Sequence, residues 1–234
     1  MSRFRILGLG AHPDDLEFGG GGLMLIEASK ESALDWVVLT RGESSSSGTP
    51  EERKAEAQAA ADMAGANLHW LLLGEDAKLE PSTANVPILA SKIRSLQPHV
   101  LLAPCHQPNQ HPDHVAAAQL ARKAARLARY GGVKELQGKP HAVDSVYYYV
   151  VSGAEPQNYE TKIVFDISPV RDQWVEMMRC HQTQLRTRDY VEYQLAKAKT
   201  LGMEAGVSYA QALYGEDPLL AADVETVSRT ARRF

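Results

Sequence analysis

The chain has 234 residues, 44% of them hydrophobic and 23% charged, with a net charge of −4. That length suits one domain, 1–234, with a substantial core. The mild acidity, with no basic stripe interleaved with aromatics, excludes a dedicated nucleic-acid binder. No apolar run is long enough to span a bilayer, and no signal-peptide apolar region or cleavage site opens the chain. The two cysteines, Cys105 and Cys180, make no disulfide framework. A cytoplasmic α/β protein is the expectation.

Residues 4–11 read as a buried parallel strand, followed by Gly19-Gly20-Gly21-Gly22 and a helical pattern through Leu23, Leu25, Ile26 and Ala28. A second strand over 33–40 completes a βαβ unit. Residues 41–48, with four consecutive serines, read as a flexible connection. Thr49-Pro50-Glu51-Glu52 carries a cap residue, a proline at the first helical position and a capping-box glutamate, so a helix runs from there to about Gly65. Arg53 falls in its first turn, where the helix dipole disfavours a cation unless an anionic group faces it.

A third strand is expected over 68–73, a helix over 86–96, a fourth strand over 100–104 and a long helix from Pro112 to about Tyr130. Two more strands follow, 143–151 and 162–167, then helices opening at Ser168-Pro169 and at about Asp189. The tail, 206–218, shows no clear period. Strands alternating with helices predict a Rossmann-like, three-layer α/β/α fold around a mainly parallel sheet.

Two stretches carry chemistry, both directly behind strands: Ala11-His12-Pro13-Asp14-Asp15-Leu16-Glu17 and His111-Pro112-Asp113-His114. Ligands of open α/β sheets bind at the carboxyl ends of strands, so the two stretches read as halves of one metal site. His12, Asp15 and one histidine of the second stretch make a two-histidine, one-carboxylate set. It suits catalytic zinc with a position left open, and also Fe(II). Hydrolysis accounts best for what is left over. Asp14 beside the metal is placed to act as general base. A second histidine would steady an oxyanion or protonate a leaving amine, and Asp113 would fix the tautomer of whichever histidine it touches. Competing readings are a non-catalytic nucleotide- or sugar-binding module using Gly8-X-Gly10, and Fe(II)-dependent oxygenase chemistry.

The paired motifs resemble the LmbE-like (PIG-L) zinc-dependent N-deacetylases. Further likeness lies in 46–57, in Tyr190-Val191-Glu192 and in Gly206-Val207-Ser208-Tyr209-Ala210-Gln211, and points toward the bacillithiol-pathway enzymes that deacetylate N-acetylglucosaminyl malate. The resemblance implies that His12, Asp15 and His114 bind Zn2+ and that Asp14 is the general base. It makes His111 the acid that stabilises the tetrahedral intermediate, with Asp113 paired to a histidine of its own motif. Arg53 would bind anionic or hydroxyl groups of a small N-acetylated amino-sugar substrate, and Tyr190 would swing over the oxyanion. A homo-oligomer, trimer or hexamer, is also implied. Two positions depart from the bacillithiol-type pattern, Ala142 and Gln110, where those enzymes carry arginine; each removes a cation that a dicarboxylate such as malate would use.

Overall fold

The structure is a computed structural model describing residues 3–107, 111–153, 156 and 159–230. Gln110 lies outside the described residues. Seven strands of the described residues form one sheet: β1 (Arg5–Gly10), β2 (Ala33–Val38), β3 (Asn67–Trp70), β4 (Val100–Pro104), β5 (Ser145–Tyr149), β6 (Thr161–Asp166) and β7 (Ala210–Gly215). Their order is β3-β2-β1-β4-β5-β7-β6. β1 to β5 run parallel, and β7 enters antiparallel between β5 and β6. The sheet is mainly parallel and flanked by helices on both faces. Its one antiparallel strand comes from the tail that shows no sequence period.

Among the described residues, seven α-helices surround the sheet: α1 (Asp15–Ser29), α2 (Pro50–Ala64), α3 (Asn85–Leu96), α4 (Pro112–Ala128), α5 (Arg171–Arg179), α6 (Gln182–Leu185) and α7 (Tyr190–Ala205). Alternate residues of the buried strands feed opposite cores, as a two-residue period requires. Ile6, Trp36 and Leu102 pack with α1, α2, α5 and α7 on one face. Leu7, Leu9, Leu101 and Ala103 pack with α3 and α4 on the other. Among the described residues no helix is long and apolar enough to cross a membrane.

α1 begins at Asp15 and runs straight through the four glycines, ahead of the helical pattern that the sequence shows from Leu23 onward. Propensity alone puts the cost of each helical glycine at about 1 kcal/mol relative to alanine. Close packing offsets it. A Cβ at Gly19 would overlap the Tyr149 ring, and one at Gly21 would press on Trp174. Glycine therefore lets α1 lie tight against β5 and α5, with Tyr149 Oη donating to the Leu9 carbonyl at 2.8 Å and Trp174 Nε1 to the Glu17 carbonyl at 2.8 Å.

The topology sets the position of the site. From β1 the chain proceeds to β2 on one side, while β4 pairs with β1 on the other. The sheet reverses direction of growth between β1 and β4, and a crevice opens beyond their carboxyl ends. The two motifs follow these two strands and no others.

Candidate metal centre

His12 lies in the turn after β1, with Asp15 opening α1. The His12 amide donates to Asp15 Oδ2 at 2.9 Å, which fixes the carboxylate under the turn. His114, in the first turn of α4, approaches Asp15 Oδ1 through Nε2 at 2.9 Å, and His12 Nδ1 lies 3.5 Å from Asp15 Oδ2. Nitrogen and oxygen ligands about 2.0–2.1 Å from a tetrahedral zinc are separated from one another by roughly 3.3 Å. The observed spacings bracket that value, and the three side chains offer ligand atoms all within 4.8 Å of one another.

The charges also suit a cation. The side chains of Asp14, Asp15, Asp76 and Asp113 are 15%, 3%, 7% and 1% exposed, and among the described residues they converge with a single guanidinium, that of Arg53. Burial alone would pull the His12 imidazole down, but Asp15, Asp113 and Asp76 outweigh it and hold it well above its ordinary value. Burial would push Asp15 up; His114 and His12 instead hold it well below the usual carboxylate range. The rise at His12 reflects the carboxylates around it, and the fall at Asp15 reflects the two imidazoles on it; a divalent metal on His12, Asp15 and His114 would supply the positive charge that both directions call for.

Asp14 shares with the three ligands the lining of a cavity of about 360 Å³, which Phe18, Ser44, Ser45, His111, Val151 and Tyr190 also border. Burial pushes its carboxyl up, opposed by Arg53. Arg53 is 3% exposed. It donates from Nη2 to Asp14 Oδ2 at 3.1 Å and from Nη1 to the Gly42 carbonyl at 2.7 Å. Gly42 has φ +68°, and a Cβ there would overlap Arg53 Nη1, so glycine is required on both counts. Arg53 thus borders the cavity with both Nη groups engaged within the chain.

His111 caps α4, its Nδ1 accepting from the Asp113 amide at 3.2 Å. That bond assigns the ring proton to Nε2 in the neutral form. Burial, then the neighbouring His12 and His114, pull His111 below its ordinary value. Tyr190 opens α7, its ring centroid 5.6 Å from that of Phe18.

Asp113 departs from the expectation that it pairs with a histidine of its own motif. Its Oδ2 lies 3.2 Å from His12 Nε2, and its two oxygens accept the Ala77 and Leu79 amides at 2.7 and 3.2 Å. The first turn of α4 aims this side chain back toward the β1 terminus and the chain after β3, away from His111 and His114. The serines after β2 also differ from a plain connection. Ser44 and Ser45 line the cavity, and Gln184 Nε2 donates to the Ser47 carbonyl at 3.0 Å. Ala142 precedes β5 at the amino-terminal edge of the sheet, where Asp144 N bonds the His99 carbonyl at 2.8 Å. It is at the opposite edge from the cavity and does not shape it. Cys105 is buried against Tyr159 Oη at 3.4 Å, outside the ligand set.

Beneath the site lies a buried pair with no sequence signal on its histidine. His181 is fully buried, and its Nε2 meets Glu17 Oε1 at 3.1 Å. Burial works against the charged imidazole, but Glu17 prevails and raises it above its ordinary value. A histidine raised in the folded state stabilises fully below its unfolded pKa, near 6.5, and the contribution fades as pH rises through the higher folded value. His181→Ala is therefore expected to lower unfolding free energy by about 3–5 kcal/mol, with a larger loss at pH 6 than at pH 9 in urea titrations. An equal loss at both pH values would refute a charged His181.

A larger, mostly apolar groove of about 570 Å³ between α7 and β7 holds no residue of the His12–Asp15–His114 set, nor of the second set whose ligand atoms lie as close together, His12–Asp76–His111.

The family described as PIG-L, GlcNAc-PI de-N-acetylase, matches residues 7–125. That span includes both motifs. The conserved protein TT1542 from Thermus thermophilus superposes with a TM-score of 0.84 at 32% identity, covering 93% of this chain and 96% of that one. The N,N'-diacetylchitobiose deacetylase from Pyrococcus horikoshii superposes with a TM-score of 0.76 at 20% identity, covering 89% and 82%. The 4-oxalmesaconate hydratase of Pseudomonas putida is 24% identical over 89% of this chain and 87% of its own length.

Proposed function

Since this chain belongs to the PIG-L family, a group of enzymes whose relatives here are deacetylases and hydratases, we propose that it is a zinc-dependent N-deacetylase. Its substrate is an N-acetylglucosamine-type amino sugar, and the domain spans 1–234. The observation that carries the reading is the Asp15 carboxylate, met on one oxygen by His114 and on the other by His12, with Asp14 beside it on the same cavity.

In this proposal His12, Asp15 and His114 hold the zinc, which supplies Lewis acidity toward water and the acetamide carbonyl. Asp14 accepts the proton of the attacking water. Burial raises its basicity, while Arg53 fixes one oxygen and leaves the other for the proton. His111, with its tautomer fixed by the Asp113 amide, presents Nε2–H to the developing oxyanion as a neutral donor. Tyr190, above Phe18, closes the cavity on the sugar side.

The cavity favours an uncharged glycoside over malate. Among the described residues, Arg53 is the only arginine or lysine lining it, and Asp14 already faces that guanidinium. The test is acetate release across N-acetylglucosaminides with neutral and malyl aglycones. Turnover of the neutral sugars is expected to exceed that of the malyl compound, and no acetate from any of them would end the deacetylase reading. A second reading, addition of water to an unsaturated oxo acid, is favoured by the hydratase relative's coverage of nearly the whole chain. Loss of 4-oxalmesaconate absorbance without acetate release would establish it instead.

A further inference from the structure

The outer nitrogen of His12 faces two carboxylates. One is Asp113. The other, closer, is Asp76, whose Oδ1 lies 3.0 Å from His12 Nε2. Asp76 belongs to neither motif; it lies between β3 and α3, in a stretch without helical or strand period.

Its environment is built around this contact. Asp76 Oδ2 accepts the Ser44 amide at 3.0 Å, and the Asp76 carbonyl accepts Ser44 Oγ at 3.0 Å. The Asp76 amide donates to Glu43 Oε1 at 3.1 Å. The next residue, Ala77, has φ +65°, a left-handed conformation that a residue with a Cβ adopts only where its surroundings impose it. That turn sends the Ala77 amide to Asp113 while Asp76 faces His12. Asp113 divides its charge between His12 and two backbone amides; Asp76 Oδ1 meets His12.

We propose that Asp76 is a positioning residue for the metal ligand His12. It accepts the Nε2 proton, which fixes the tautomer with the Nδ1 lone pair turned toward Asp15, and it strengthens His12 as a ligand. A ligating histidine depends in this way on a partner for its other nitrogen, and losing the partner typically weakens metal binding by about 10–100-fold. The inference rests on the metal reading above.

The experiment measures zinc affinity of the stripped full-length chain by competition with a chromophoric chelator, alongside thermal melts of the metal-free protein. Asp76→Asn, which keeps shape and the Ser44 contact, is expected to bind zinc at least tenfold more weakly. Ser44→Ala, which removes the Oγ tie but leaves the carboxylate on His12, is expected to stay within threefold of wild type. A loss below tenfold in Asp76→Asn overturns the inference, as does an equal loss in Ser44→Ala, since the loop tie alone would then explain it. Failure of the wild type to bind zinc would instead sink the metal reading. If Asp76→Asn does not fold, the zinc-loaded wild type decides by histidine NMR. A slowly exchanging His12 Nε2 proton supports the assignment, and an Nδ1-protonated His12 overturns it.

Discussion

Asp14→Asn is expected to retain one zinc per chain and a near-native melting temperature while losing acetate release by about 10²–10⁴-fold, the range for removal of a positioned general base. The separation follows from geometry. Asp14 meets Arg53 and the cavity, and it belongs to neither group that can chelate a cation, His12–Asp15–His114 or His12–Asp76–His111. The substitution preserves volume and can still hold one Arg53 contact through its amide oxygen, so the loss falls on proton transfer. Steady-state kinetics with metal analysis of the same sample checks this, and a variant within tenfold of wild-type turnover would show that another group takes the proton.

His114→Ala is expected to remove metal and activity together. His114 is 5% exposed and its Nε2 faces Asp15 Oδ1, so alanine leaves one imidazole and a buried carboxylate of the His12–Asp15–His114 set, too few ligands for that set to hold a catalytic metal. Wild type should melt higher as zinc is added, by about 2.7 kcal/mol at a concentration one hundred times Kd. The variant should show no such rise. A zinc-dependent rise of wild-type size in His114→Ala would remove this residue from the ligand set.

What the sequence discloses and what it hides divide along a physical line. The two motifs are legible because their chemistry is contiguous and each stands directly behind an apolar run. Pairing β1 with β4 at the sheet's reversal then brings them together without any long-range signal in the sequence. The capping box at Thr49 is legible for the same local reason, with both of its hydrogen bonds present. Asp76 and His181 are not legible. Each acts through a partner far along the chain, His12 and Glu17 respectively, and neither lies in a periodic segment. The glycine run obscures the first turns of α1, because propensity disfavours a helix there and tertiary packing against Tyr149 and Trp174 decides the outcome. β7 escapes because Gln211 is buried within it, its Oε1 accepting the Leu23 amide at 2.9 Å, so the strand breaks the apolar alternation that would mark it.

The pairing of Asp113 across to His12 also changes how the centre is understood. Two carboxylates behind His12, one from the chain after β3 and one from α4, tie the ligand to both sides of the crevice. Arg53 does the same for Asp14 through the Gly42 carbonyl. The segment 42–44 therefore supports both groups, since Gly42 holds Arg53 and Ser44 holds Asp76.

Anomalous scattering at the zinc edge from zinc-soaked crystals tests the central claim most directly. One strong peak per chain within about 2.3 Å of His12, Asp15 and His114 is the predicted result. A peak bound by other residues, or none at this position at saturating zinc, would contradict the account.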